Sequence, residues 1–218
     1  LTSLEDLIAS GLTREKAQEM MRIKQFFAFG EIRPSSDLLH SVIVDNKPVE
    51  VLNGVKVIRK NINFYEFFYK DESVEIDLNL AKNETYETPY QLENHYFKRD
   101  YFSVVHTGEG DGWDIDRPCM ASVICFQGKI FLIDVGPNIA HTLNAIGVDV
   151  NEVEGIFHTH AHDDHFAGLT TLIHTNHKIK YYTTKMVRAS VTKKLSSLMS
   201  IEESVFAEYF EVFDLEFD

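Results

Sequence analysis

Cysteine is scarce in this chain: Cys119 and Cys125 are the only two among 218 residues. Cys125 lies in an apolar stretch and reads as a small core residue, and Cys119 follows a proline in a loop. That is no disulfide framework, and the compartment it implies by default is a reducing cytoplasm. Long hydrophobic runs are missing as well. No stretch approaches the about 18–20 apolar residues that span a bilayer, so no membrane partner is expected. The opening residues lack the charged and apolar regions of a secretory signal. The chain starts at Leu1 rather than Met, which leaves room for a removed leader. Cations are outnumbered, 21 Lys and Arg against 34 Asp and Glu, for a net charge of −13. This argues against broad non-specific nucleic-acid binding, which needs cationic surface to displace counterions. It does not exclude phosphate substrates, because bound divalent cations would dominate the local field. There are no internal repeats and no low-complexity tracts. Histidine stops early: none follows His177.

What is present is concentrated in Phe157-His158-Thr159-His160-Ala161-His162-Asp163-Asp164-His165, where four imidazoles and two carboxylates fall within eight residues. Neutral imidazole and carboxylate are the usual nitrogen and oxygen ligands of zinc, iron and manganese. His160 and His162 are two apart, so on an extended segment both point the same way and can grip one ion. Asp164 and His165 come where the chain turns into a helix, and face a second position close by. The spacing thus supplies two ligands to each of two ions, which in hydrolytic sites sit about 3.5–4 Å apart and share one water-derived oxygen. Upstream, Lys129 to Ile133 is an apolar strand ending in Asp134-Val-Gly136, with Ser122–Phe126 as its hairpin partner across Gln127-Gly128. Asp134, together with Thr159, is expected to support the ligands rather than bind metal, holding an imidazole in one tautomer. His158 is expected to be a hydrogen-bonded core histidine, and Asp163 to cap a helix from Asp164 to Thr175.

The rest of the chain reads as three segments. Residues 1–40 are helical: Thr2 or Ser3 caps a short helix to Ala9, and Thr13 caps a second to about Phe29, stopped by Gly30. A DNA-reading helix pair is the functional alternative to a packed hairpin, and the segment's lack of a net basic charge argues against it. Residues 41–100 are β-rich. Short runs at Val42–Val44, Val49–Val51 and Val55–Ile58 surround the Asn53-Gly54 hairpin signal. The aromatics of Ile62–Tyr69 are expected in a core, and Ser73–Leu80 alternates as an amphipathic strand. Residues 101–218 carry the motif. They also hold a glycine-rich loop, Gly108 to Gly112, that lacks the Gly-Lys-Ser/Thr ending of a P-loop. Six cations from Lys178 to Lys194, with no acid among them, read as a solvated face, the alternative being a collector of anionic substrate.

Thr159-His160-x-His162-x-Asp164-His165 followed by Ala167-Gly168 resembles the signature of the metallo-β-lactamase superfamily. The order of a strand, Thr-Gly-x-Gly, Arg117 and Ser122 is similar to its phosphodiesterase and tRNase Z-like branch. The resemblance covers roughly residues 101–200 and implies an α/β fold: the N-terminal half of an αββα sandwich, preceded by the helical and β-rich extension. It implies a hydrolase with two divalent metal ions, zinc first and iron or manganese as alternatives, held by His160, His162, Asp164 and His165. Asp164 would also orient the attacking water. The implied substrate is a phosphodiester, bound through Arg117, Gly108, Gly110 and Ser122, with His106 at the rim; a thioester or lactone is the rival. A surface ion pair is the alternative role for Arg117, and a structural polar contact for His106. The family's second half supplies further ligands, which a chain without histidine after His177 does not offer. The resemblance therefore implies an apolar sheet face covered by the missing half or by a second copy of the chain. On its own the chain would then be inactive as an enzyme. A di-iron redox or oxygen-sensing centre is a second class; there the second motif histidine is usually Glu, and His162 argues against it. A metal-free interaction module is a third, and predicts no consequence of His160→Ala.

Overall fold

The computed structural model describes residues 3–27 and 42–216. Thr2 as a cap, a helix end at Phe29-Gly30 and a strand onset at Ser41 lie outside them. The chain divides into two compact units, one of residues 19–87 and one of residues 2–18 with 88–218. The sequence-drawn boundaries at 40 and 100 differ from these: the first short helix belongs with the motif-bearing unit, and that unit resumes at residue 88.

In the first unit four strands, β1 (Val49–Leu52), β2 (Val55–Asn61), β3 (Phe64–Tyr69) and β4 (Glu72–Asp77), form an antiparallel sheet in sequence order. Asn53 and Gly54 turn the first hairpin, both at positive φ (51° and 80°), the backbone such a two-residue turn demands. Val42–Val44 forms no strand. The β3 aromatics are half-buried, with Tyr69 exposed, and every residue of β4 is exposed, Val74 and Ile76 included. Alternation decides which side of a strand a residue takes. Burial needs a second layer, and a strand's own pattern does not encode it.

The second unit begins with α1 (Leu4–Ala9), held by a capping box between Ser3 and Asp6 and burying Leu7. Next comes α2 (Arg14–Phe27), whose Lys16 N–H donates to the Thr13 hydroxyl; its residues up to Gln18 belong to this unit and those from Glu19 on to the first. Its sheet has six strands: β5 (Phe102–Gly108), β6 (Ala121–Phe126), β7 (Lys129–Ile133), β8 (Val153–Phe157), β9 (Ile179–Thr184) and β10 (Phe210–Leu215). They lie side by side in the order β10-β9-β8-β7-β6-β5, with β5, β6 and β7 antiparallel and β7 through β10 parallel. Parallel neighbours require crossovers. These are α3 (Ile139–Ala145), the two short helices α4 (Asp163–Phe166) and α5 (Leu169–Leu172), and then α6 (Lys185–Met199) with α7 (Phe206–Tyr209).

The core lies between the helices and one sheet face. Val123, Cys125, Leu132, Ile156 and Tyr181 meet Leu143, Phe166, Leu169, Val191 and Leu195, all fully buried or nearly so. Burial of each such aliphatic side chain contributes roughly 1.5–3 kcal/mol. The alternate residues of the same strands, among them Phe102, Val104, Phe126, Phe157 and Phe213, are exposed. On that face Phe157, Tyr182 and Phe213 stack across three strands, with ring centroids 4.7 and 4.9 Å apart. Among the described residues no helix is long and apolar enough to cross a membrane.

Candidate metal centre

The motif leaves the sheet at the end of β8. The His158 N–H donates to the Tyr182 carbonyl (2.9 Å), one last pairing before the chain runs on to His162, the residue that caps α4. Asp163 is therefore the first helical residue and not the cap expected of it. The single helix expected from Asp164 to Thr175 is two short helices, α4 and α5, separated by Ala167-Gly168.

Asp134 stands one residue past β7 at φ +59°, a left-handed conformation uncommon for a residue with a side chain. It is held there because its N–H donates to the Phe157 carbonyl (3.0 Å). Its carboxylate is buried and takes three donors. Oδ1 accepts from the Thr159 N–H (2.8 Å), and Oδ2 lies 2.6 Å from the Thr159 hydroxyl and 2.8 Å from His165 Nδ1.

Those contacts fix the imidazoles. A carboxylate only accepts, so the one Thr159 hydroxyl proton goes to Asp134. The hydroxyl oxygen can then only accept from His160 Nδ1, 2.9 Å away, so His160 carries its proton on Nδ1 and presents a lone pair at Nε2. His165 likewise donates from Nδ1 and presents Nε2. The free atoms fall into two pairs: His160 Nε2 with His162 Nδ1, 3.2 Å apart, and His165 Nε2 with Asp164 Oδ2, 3.3 Å apart. Two ligands about 2.0–2.1 Å from one tetrahedral zinc lie about 3.3 Å apart, so each pair fits one ion. The His160 and His165 rings are 3.9 Å apart, which makes the two pairs neighbours. Atoms of Asp134, His160 and His165 also fall within 4.8 Å of one another. Asp134 could serve as a ligand on distance alone. With three donors on its oxygens, its part is to orient the others.

Burial, and then the neighbouring His165 and His162, push the His160 imidazole below its ordinary range, favouring the neutral form that binds metal. Burial, with Asp164 and Asp111 nearby, pushes the Cys119 thiol up, so it stays protonated. His158 is buried against the equally buried Tyr181, whose hydroxyl is 2.9 Å from His158 Nδ1. Burial lowers this imidazole from the ordinary 6.5 to about 4. Between those values the unfolded chain binds a proton that the folded chain does not. Stability is therefore whole above pH 6.5 and falls as the pH drops toward 4, by up to roughly 3 kcal/mol. Urea midpoints at pH 7 and pH 5 measure this drop, and His158→Leu should flatten it while lowering both midpoints.

The residues expected to bind substrate have partners within the protein. The Arg117 guanidinium donates to Asp114 (2.8 Å) and pairs with Glu109 (3.7 Å). The Gly110 N–H donates to the Pro118 carbonyl (2.9 Å), and a Cβ on Gly108 would collide with the Cys119 carbonyl oxygen. These glycines allow close backbone packing, the Gly110 N–H is taken by the Pro118 carbonyl, and the half-exposed Arg117 stands in surface ion pairs. His106 Nδ1 and the Ser122 hydroxyl are 3.1 Å apart on neighbouring strands. Other residues that shape the site escape a sequence reading. Gly112 sits so close to Asp164 that a Cβ there would lie 2.7 Å from the Asp164 Cβ. Gly136 and Gly168 let α4 rest on the Asp134 turn, clamped by Val135 N–H to the His165 carbonyl (2.7 Å) and Gly168 N–H to the Val135 carbonyl (3.0 Å). The sequence signals are Asp-x-Gly and Ala-Gly, which show where a glycine lies without showing what it touches.

One mixed sheet with helices on a single face, ending in this ligand-bearing turn, defines the motif-carrying half of a metallo-β-lactamase-type domain. Residues 102–217, more than half of the chain, match the family described as Anti-Pycsar protein Apyc1, and the chain belongs to that family. It is 29% identical over 118 residues to the cAMP/cGMP-dependent 3′,5′-cAMP/cGMP phosphodiesterase B of Dictyostelium discoideum, covering 52% of this chain and 11% of that protein. It is 37% identical over 60 residues to the ribonuclease Z of Clostridium kluyveri, covering 28% and 20%. The chain thus spans a fifth or less of the length of these two relatives. Human tRNase Z, short form, superposes with a TM-score of 0.40 at 25% identity over 51% of this chain and 44% of that one.

Proposed function

We propose that this protein is a metal-dependent phosphodiesterase whose substrate is a 3′,5′-cyclic nucleotide. The observation that carries the reading is the convergence of the four ligand atoms into two pairs, with lone pairs directed by the buried Asp134. His160 and His162 would hold one divalent ion, and Asp164 and His165 the other. Zinc is the first candidate for imidazole and carboxylate donors, with iron or manganese as alternatives. Such ions supply Lewis acidity and ionise water near neutral pH. Asp164, with a carboxylate oxygen at the edge of the cluster, orients the attacking water. Membership of a family described as anti-Pycsar, and similarity to a protein named as a 3′,5′-cyclic nucleotide phosphodiesterase, support the phosphodiester over a thioester or lactone.

The test is incubation of the zinc-loaded protein with 3′,5′-cyclic nucleotides, with the nucleoside monophosphate product read by chromatography. Chelation should abolish hydrolysis and added zinc should restore it. His160→Ala should lower the rate at least about a hundredfold, more than loss of a residue that only supports a ligand. Hydrolysis that survives both treatments, or turnover of thioesters and lactones in place of cyclic nucleotides, would sink the reading.

A further inference from the structure

The run of six cations between Lys178 and Lys194 is not a free basic face. Five of the six reach a carboxylate or carbonyl remote from the motif. Lys194 is the exception. From α6 its ammonium donates to the Ala161 carbonyl (2.7 Å) and to Asp163 Oδ1 (2.7 Å), 33 and 31 residues earlier in the chain. It also sits 5.2 Å over the ring of the buried Phe166, a cation–π contact that helps fix its direction.

Ala161 stands between His160 and His162, and Asp163 opens the helix that carries Asp164 and His165. A single ammonium therefore touches both halves of the ligand set. The Ala161 carbonyl belongs to the planar peptide that leads into His162. Pinning that oxygen fixes the plane, and with it the direction in which the His162 imidazole leaves the chain. The contact with Asp163 is exposed and contributes little by itself. The carbonyl contact is the one that shapes the site.

We propose that Lys194 is a positioning residue of the metal centre, tying the His160–His162 segment to the first turn of α4 so that both ligand pairs keep their spacing. This rests on the metal-binding reading of the site. It also makes a prediction whose sign separates it from a plain charge effect. A cation near bound divalent ions repels them, so if Lys194 acted only as a charge, its removal would tighten metal binding. If it positions the ligands, its removal weakens binding.

The experiment titrates zinc chloride alone into the intact protein, in competition with a chromophoric chelator, for wild type, Lys194→Met, Lys194→Gln and Lys194→Arg. Circular dichroism of each metal-free variant checks folding. The expected result is zinc binding about tenfold weaker in Lys194→Met, the range seen when a partner of a metal ligand is lost, and mostly recovered in Lys194→Arg. Unchanged or tighter binding in Lys194→Met overturns the proposal. Should that variant fail to fold, Lys194→Gln decides by the same sign, weaker supporting and equal or tighter overturning. Wild type that binds no zinc overturns the metal-centre reading and this inference with it. Wild type that binds zinc while the variants match it overturns this inference alone.

Discussion

Asp134→Asn is expected to cost the protein about 10–100-fold in zinc affinity although the two side chains have the same shape. Asp134 accepts from the Thr159 N–H, the Thr159 hydroxyl and His165 Nδ1. Asparagine has one acceptor oxygen and an NH2 that only donates. With its oxygen on the Thr159 N–H, the NH2 faces the hydroxyl and the imidazole. His165 must then accept at Nδ1, which moves its proton to Nε2, the atom a metal needs. The Thr159 hydroxyl, now accepting from the asparagine, can turn its own proton toward His160 Nδ1 and shift that imidazole the same way. One oxygen-to-nitrogen exchange therefore inverts two tautomers and removes one ligand from each pair. The alternative is to keep both tautomers and leave buried donors facing each other, which costs about 1–3 kcal/mol for each unsatisfied group. Zinc titration and urea unfolding of the variant report the two outcomes. A variant with wild-type zinc affinity would show that Asp134 does not orient the site.

The parts of this molecule legible in its sequence are those whose physics is local. Asn53-Gly54 and Gln127-Gly128 each place two consecutive residues at positive φ, a demand few dipeptides meet, and both hairpins form where those pairs stand. His160, His162, Asp164 and His165 are legible as one cluster, because an extended segment running into a helix can bring them together over only six residues. Asp134 is 25 residues from Thr159, yet readable, because Asp-x-Gly at the end of an apolar strand puts a carboxylate at the edge of the sheet where the next strand also ends. What stays hidden depends on partners distant in sequence. The glycine-rich loop reads as able to present N–H groups to phosphate, and its close packing on the Pro118 and Cys119 carbonyls is visible only in the structure. The cation run reads as solvated because its acids lie elsewhere, Asp6 and Asp163 before it and Asp214 after. The β3 aromatics have the composition of a core, but nothing in their own strand says how much of them a second layer covers.

Gly168→Ala should be strongly destabilising, against what local propensity suggests. Gly168 has φ −68° and ψ −11°, an ordinary right-handed helical conformation. Replacing glycine by alanine at such a φ/ψ ordinarily stabilises by about 0.4–1 kcal/mol, because the unfolded chain loses freedom. The surroundings reverse the sign. A Cβ at Gly168 would collide with the Gly136 carbonyl oxygen and lie 2.6 Å from Val135 Cγ1 and 3.0 Å from Ile139 Cγ2. The first of these is backbone, and it cannot turn aside as a side-chain tip can. Overpacking of this kind costs about 1–3 kcal/mol and more where backbone must move, so the net change is a loss of about 2 kcal/mol or more. The damage should also reach the site. Displacing Gly168 breaks its bond to the Val135 carbonyl, and with it the clamp that holds the His165 carbonyl on the Val135 N–H. His165 then withdraws from Asp134, so zinc affinity should fall together with the melting temperature. Gly128→Ala supplies the contrast. It stands at φ +77° with no atom within 4 Å of the added Cβ, so it should cost about 1 kcal/mol from backbone strain and leave zinc binding unchanged. Equal melting temperatures for Gly168→Ala and wild type would mean that α4 does not rest on the Asp134 turn as closely as the structure shows.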